Sequence, residues 1–219
     1  GANMTTGAGG AITIDTANGG NTGTGISRTA GTLAADTVTL TTGNGDIGAL
    51  AGRIVTDAGT LNANAQGGNS VFVSEADGVI LASVVATDTV DVLNTGAGTI
   101  EVNDVTATNS VVINSQGAIT EDATNDAAAD ISATAIDLDA VGAIGQLEIN
   151  ATSIDADATT TVTLTNLATA TTTVNSLTGT GATLVFNDGV TFNGGTVNLG
   201  AGTLNVTVDS GNARTTSLD

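Results

Sequence analysis

The chain has 219 residues, of which 22 are acidic and three are basic, and its formal net charge at pH 7 is −19. It contains no cysteine, histidine, lysine, proline, tryptophan or tyrosine. This composition excludes disulfide-based stability and imidazole or thiol chemistry, and the net charge makes nucleic acids and anionic membrane surfaces repulsive. We therefore expect no binding to nucleic acid. No segment approaches the roughly 18 unbroken apolar residues of a membrane span, so no insertion into a membrane is expected.

Short segments of alternating aliphatic residues predict β-strands that recur along the chain. Each segment has two apolar residues one position apart, and a glycine and another aliphatic residue usually follow. A period of about 24 residues is typical of a solenoid, in which each repeat packs only against its neighbours. Helix signals are weak, because threonine, glycine, asparagine and aspartate are poor helix formers. In chain order the clearest segments are Ile12–Ile14, Val38–Leu40, Val71–Val73, Val90–Val92, Val111–Ile113, Ile136–Leu138 and Leu184–Phe186.

The spacing of these segments predicts the number of turns. Taking the second apolar residue of each pair as an anchor predicts an all-β solenoid of about nine rungs of roughly 20–26 residues. The longest step, from Leu40 to Val73, predicts a loop within Gly59–Ser70, and Asp122–Ala135 is expected to form a helical turn or a loop. The residues expected to share one aliphatic core are Val38, Leu40, Val92, Ile113, Leu138 and Leu164.

Small polar residues follow most anchors, and they predict the turns of the solenoid. Side chains of this kind bond to their own backbone or tolerate left-handed conformations. The predicted turn residues are Asp15, Thr41, Ser74, Asn114, Asp139, Thr165, Asn187 and Thr207. A continuous repeat has no internal boundary, so residues 1–219 are expected to form a single domain, as a segment of a larger protein.

Several of these segments resemble the repeats of filamentous-haemagglutinin-type adhesins of Gram-negative bacteria. The resemblance is carried by Ala30–Leu33 with Val38–Gly48, by Asn114–Thr120 and by Asp139–Gly145, and it extends from about Gly7 to Val208. It implies a right-handed parallel β-helix that forms the shaft of a large secreted or surface-attached protein. The asparagine-proline-asparagine motif of that family's secretion domain is absent, which indicates shaft rather than export signal.

Acidic residues between Arg53 and Arg214 have no basic residue near them in the sequence. Ca²⁺ takes about six to eight oxygen ligands, so a dense run of carboxylates is compatible with a calcium site. The alternative is a solvated acidic face that keeps a secreted rod soluble, and neither the EF-hand spacing nor the calcium-binding nonapeptide is present. The crowded region also includes Glu148, Asp155 and Asp157. The candidate ligands are Glu121, Asp122, Asp126, Asp130, Asp137 and Asp139.

Enzymatic and ice-binding functions are disfavoured by the residues present. A lyase for acidic sugars needs basic side chains for the substrate carboxylate and a general base, and this chain has neither lysine nor histidine. The glycosidase candidates Asp137/Asp139 or Asp155/Asp157 would share one strand face about 7 Å apart, as expected of solvated surface acids. Ice binding needs a threonine ladder, but the outward row contains Phe72, Asp91 and Val112. No catalytic residue and no cofactor other than Ca²⁺ are expected.

The sequence therefore predicts a non-catalytic structural or adhesive rod at the surface of, or secreted from, a Gram-negative bacterium. The expected partners are a host, cell-surface or matrix receptor, or further copies that associate end to end. The alternatives are a self-assembling subunit of an extracellular filament or surface layer and, less favoured, a solenoid that binds ice or carbohydrate.

Overall fold

In the computed structural model, residues 3–17, 24–67, 69–122, 127–193 and 195–208 are described, together with the backbone of 216–218. Every regular element in these ranges is a β-strand, and no helix among them is long and apolar enough to cross a membrane. The strands are β1 Met4–Thr5, β2 Ala11–Asp15, β3 Leu33–Thr42, β4 Ile54–Ala65, β5 Val71–Glu75, β6 Val79–Ala86, β7 Thr89–Asn94, β8 Ile100–Val102, β9 Val105–Thr106, β10 Ser110–Ser115, β11 Ile119–Glu121, β12 Ile131–Ser132, β13 Ala135–Ala140, β14 Ile144–Asn150, β15 Ser153–Ala158, β16 Thr161–Asn166, β17 Thr172–Thr178, β18 Gly181–Phe186, β19 Val190–Phe192, β20 Val197–Asn198, β21 Leu204–Val208 and β22 Thr216–Leu218.

All strand pairings are parallel, and they stack the chain into a β-solenoid of about eight turns. The fold class is therefore confirmed, with one turn fewer than the anchor count predicts. Each turn contributes to two columns of strands. The first column contains β1, β5, β7, β10, β13, β15, β17, β19, β20 and β22, and the second contains β2, β6, β8, β9, β11, β12, β14, β16, β18 and β21. Strands β3 and β4 run through both columns without a break.

The core is a continuous stack of aliphatic side chains between the columns. In the first column, for example, Val71, Val90, Val111, Ile136 and Ile154 are aligned in register and buried. Burying one such side chain contributes about 1.5–3 kcal/mol. The six residues predicted to share the core are all at most 3% exposed, which confirms the predicted facing.

The single repeat predicted from the anchors is wrong, because it mixes the two columns. Leu40 is paired with Ala63 in the second column, whereas Val73 belongs to the first. Strand β4 covers residues 59–65, so the loop predicted at Gly59–Ser70 is wrong for that part. The extra residues lie earlier in the chain. Ile47 is opposite Val71 and Ile54 is opposite Val73, so residues 48–53 form an excursion from the stack opposite the single residue Phe72.

Most of the predicted turn residues lie inside strands. Thr41, Ser74, Asn114, Asp139 and Thr165 occupy outward positions, because each strand continues beyond its aliphatic pair. The next residue along the pleat turns inward and is often polar and buried. Members of this inner set are Thr42, Glu75, Ser115 and Asn166. Asn187 follows β18 as predicted, and the described part of Asp122–Ala135 contains β12 and no helix.

Candidate functional site

Three carboxylates approach one another closely in the second column. Glu121, Asp130 and Glu148 each offer an oxygen, and these oxygens lie within 4.8 Å of one another. Asp130 is 5% exposed, and the other two side chains are half-buried. We call this set the carboxylate triad.

The triad exists because two short strands share one neighbour. Strand β11 ends at Glu121 and β12 begins at Ile131, and the two strands pair with different parts of β14. Asp130 then lies opposite Glu148. The Asp130 amide donates to the Glu148 carbonyl at 2.7 Å, and the Glu148 amide donates to Asp130 Oδ2 at 2.8 Å.

This geometry gathers negative charge and oxygen donors. Carboxylate oxygens suit a hard divalent cation, but Ca²⁺ takes about six to eight oxygens and three carboxylates supply part of such a shell. In the sequence, no basic residue stands between Arg53 and Arg214. The triad is therefore a partial ligand set.

The six sequence candidates are not brought together. Only Glu121 and Asp130 belong to the triad, which is completed by Glu148, a residue of the crowded region that was not among the six candidates. Asp122 follows Glu121 but is not a member, and Asp126 lies outside the described residues. Asp137 and Asp139 are on β13 in the first column, apart from Glu121 and Asp130.

A second acidic group, the aspartate block, occupies two neighbouring strands of the first column. Asp137 is opposite Asp155 and Asp139 is opposite Asp157, which places four carboxylates on one outward face. Neighbouring side chains donate to three of them: Asn114 Nδ2 to Asp139 at 3.2 Å, Asn175 Nδ2 to Asp155 at 3.2 Å and Ser176 Oγ to Asp157 at 2.9 Å. Among the described residues, none donates to the Asp137 carboxylate.

Crowding changes the acidity of this block. Burial raises the pKa of Asp137 to about 6, and the charges of Asp139, Asp155, Asp157 and Asp91 add to the effect. Burial also raises the pKa of Asp139, with further contributions from Asp157 and Asp155. A carboxyl group with neighbouring like charges holds its proton more tightly, because ionisation would add to their mutual repulsion.

One acid is enclosed by the solenoid, and sequence reasoning missed it. Glu75 ends β5 with no exposed surface; its carboxylate accepts from Thr56 Oγ1 at 2.6 Å and from the amides of Ala58 at 3.1 Å and Ala76 at 3.0 Å. Burial raises the pKa of Glu75, and these hydrogen bonds partly oppose it. Its place after Val71 and Val73 in a period-two pattern was the available signal that it points inward.

Comparisons of this chain with protein-family models, with curated proteins and with solved structures find no match.

Proposed function

We propose that this chain is a structural segment of a rod-shaped bacterial adhesin, displayed at the cell surface or secreted, and that it works without catalysis. One observation carries the proposal: parallel strands stack turn upon turn from Ile12 to Val208, and each turn contacts its neighbours. Such a stack forms a rod, because each turn adds about 4.8 Å to its length.

The surface chemistry is compatible with an extracellular rod. The outward faces carry aspartates, threonines and asparagines, and the net charge of −19 opposes aggregation of neighbouring rods. The aspartate block borders an open groove of about 270 Å³ that includes Asn114 and Thr178. Carboxylates on an open face bind substrate poorly, because water competes for every contact.

The adhesin assignment rests on the sequence resemblance described above. The segments that carry it fall on strands and their corners: Val38–Gly48 covers the end of β3 and the following turn, and Asn114–Thr120 joins β10 to β11. In a shaft these residues maintain the stack, and a receptor on a host cell or matrix is bound through the assembled protein.

Surface labelling of the producing bacterium tests this function. An antibody against the folded chain should label intact cells, or recover the protein from the medium, as strongly as it labels permeabilised cells. Labelling that requires permeabilisation would contradict the proposal. Small-angle X-ray scattering of the purified chain should also give an elongated particle of about 40 Å in its stacked dimension.

A self-assembling filament subunit is the second candidate. Neighbouring turns pair edge to edge through parallel strands, as β18 does with β21. A strand edge of this kind can also accept a strand from another copy. Scattering that reports longer particles as concentration increases would favour the filament, and a constant size would favour the shaft.

A further inference from the structure

A pocket of about 190 Å³, here called the Arg28 pocket, lies beside the N-terminal turns. Its rim is the segment Ser27–Thr32, which connects the bridge at Ile26 to strand β3. No acidic residue lines it, although the chain as a whole is strongly acidic. Its floor is aliphatic and consists of Ile14, Ile26, Leu33 and Ile54.

The Arg28 guanidinium is held in place by neutral groups. Nε donates to the Arg53 carbonyl at 2.8 Å, and Nη1 donates to the Gly31 carbonyl at 3.0 Å. Within the described ranges, the ion pair that forms joins Arg53 and Asp91, and no carboxylate there pairs with Arg28. A guanidinium has five donors, and the donors on Nη2 are not used by any described residue.

The rim adds further donors. In the described part of the chain, the backbone amides of residues 27–31 donate to no protein acceptor. Backbone amides without a protein acceptor can donate to a bound anion, and an adjacent guanidinium strengthens the attraction. The residues that carry these donors and the positive charge all line the same pocket, together with the four aliphatic residues.

We propose that the Arg28 pocket binds a small organic carboxylate with an apolar body. The carboxylate pairs with the Arg28 guanidinium, and the body packs on the four aliphatic floor residues. A planar guanidinium matches the two oxygens of a carboxylate, and because carbonyls already orient it, little side-chain freedom is lost on binding. This site does not depend on the adhesin assignment.

Arginine-selective NMR tests the proposal directly, because the chain has three arginines and no lysine. Cyclohexanecarboxylate is titrated while the three Nε–Hε signals are recorded, and cyclohexanecarboxamide serves as the uncharged match. We expect a saturable shift of the Arg28 signal with the carboxylate and binding at least about tenfold weaker with the amide. No saturable shift of the Arg28 signal with the carboxylate, or equal binding of both compounds, would overturn the proposal.

Two variants separate the local charge from the global one. Arg28→Gln should weaken binding of cyclohexanecarboxylate at least about tenfold. Thr160→Asp, at an exposed position on a different turn, lowers the net charge by the same amount and should leave binding within about twofold. Equal weakening in both variants would mean a non-specific charge effect and would overturn the proposal. If Arg28→Gln fails to fold, the wild-type titrations decide alone.

Discussion

Arg53 reaches across one turn of the solenoid to pair with Asp91. Its Nη2 lies 2.7 Å from Asp91 Oδ2, and its Nη1 donates to the Asp91 carbonyl at 3.0 Å and to the Val73 carbonyl at 3.3 Å. The two side chains are 16% and 11% exposed. The pair therefore ties the excursion at residues 48–53 to the next two turns.

Breaking this pair should destabilise the fold asymmetrically. Arg53→Met leaves the Asp91 carboxylate buried without a cation and should lower the free energy of unfolding by about 2 kcal/mol. Asp91→Asn retains an acceptor and should cost about half as much. Urea denaturation measures both. Equal losses would contradict this asymmetry, because the acceptor that Asp91→Asn retains would then contribute nothing.

A charge placed in the aliphatic stack should disrupt several turns. Ile113 has no exposed surface, so Ile113→Asp should cost more than about 4 kcal/mol. The matched control, Thr39→Ser, alters an outward position and should cost less than about 0.5 kcal/mol. Similar thermal midpoints for the two variants would contradict the assigned facing.

Two glycines of the same excursion should respond differently to alanine. Gly48 has φ +75, and a Cβ there would lie 2.3 Å from the Phe72 carbonyl oxygen, so Gly48→Ala should cost about 2 kcal/mol or more. At Gly52 a Cβ meets no atom within 4 Å, so Gly52→Ala should change stability by less than about 0.5 kcal/mol. The thermal midpoints of the two variants test this difference, and a neutral Gly48→Ala would contradict it.

Stability should increase as the pH falls from 7 towards 4.5. The folded-state pKa of Asp137 is about 6, above its ordinary value of 3.8, so the folded protein binds more protons than the unfolded chain between these values. Its contribution is fully present below the unfolded pKa and is lost as the pH rises through 6. The raised pKa values of Asp139 and Glu75 act in the same direction.

The aspartate block can be isolated as the source of this pH dependence. Asp137→Asn should flatten the profile of thermal midpoint against pH. Asp57→Asn removes one charge at an exposed position of β4 and serves as the control. A profile that is unchanged in Asp137→Asn, or a midpoint that falls on mild acidification, would contradict the assignment.

Added salt should raise the thermal midpoint. Carboxylates on stacked strands are about 4.8 Å apart, well within the screening length of about 8 Å at physiological ionic strength. The measurement compares NaCl, MgCl₂ and CaCl₂ at equal ionic strength. A saturable increase in CaCl₂ alone that is absent in Asp130→Asn would identify the carboxylate triad as a calcium site. A midpoint that falls in NaCl would contradict the repulsion argument.

Functional grouping of the acids could be predicted only in part. The sequence predicts that acids crowd together, and two of its six candidates, Glu121 and Asp130, lie in the carboxylate triad. Glu148 joins them because β12 and β14 pair, which brings Asp130 opposite a residue far along the chain. Asp137 and Asp139 were separated from them because β13 belongs to the other column. Such groupings depend on pairing, which a single sequence does not encode locally.

The sequence by itself determined the β-solenoid class and the inward facing of residues such as Leu40, Ile113 and Leu138. Aliphatic residues at every second position of a strand lie on one face, and that face is buried whichever strand is its neighbour. The tertiary structure alone decided which strands are neighbours. Leu40 stacks on Ala63 rather than Val73, and residues 48–53 leave the stack, because the two columns have the same local pattern and turns of different length are tolerated between them. The alternation of inward and outward side chains depends on local sequence, whereas the register between turns depends on the packing of the whole stack.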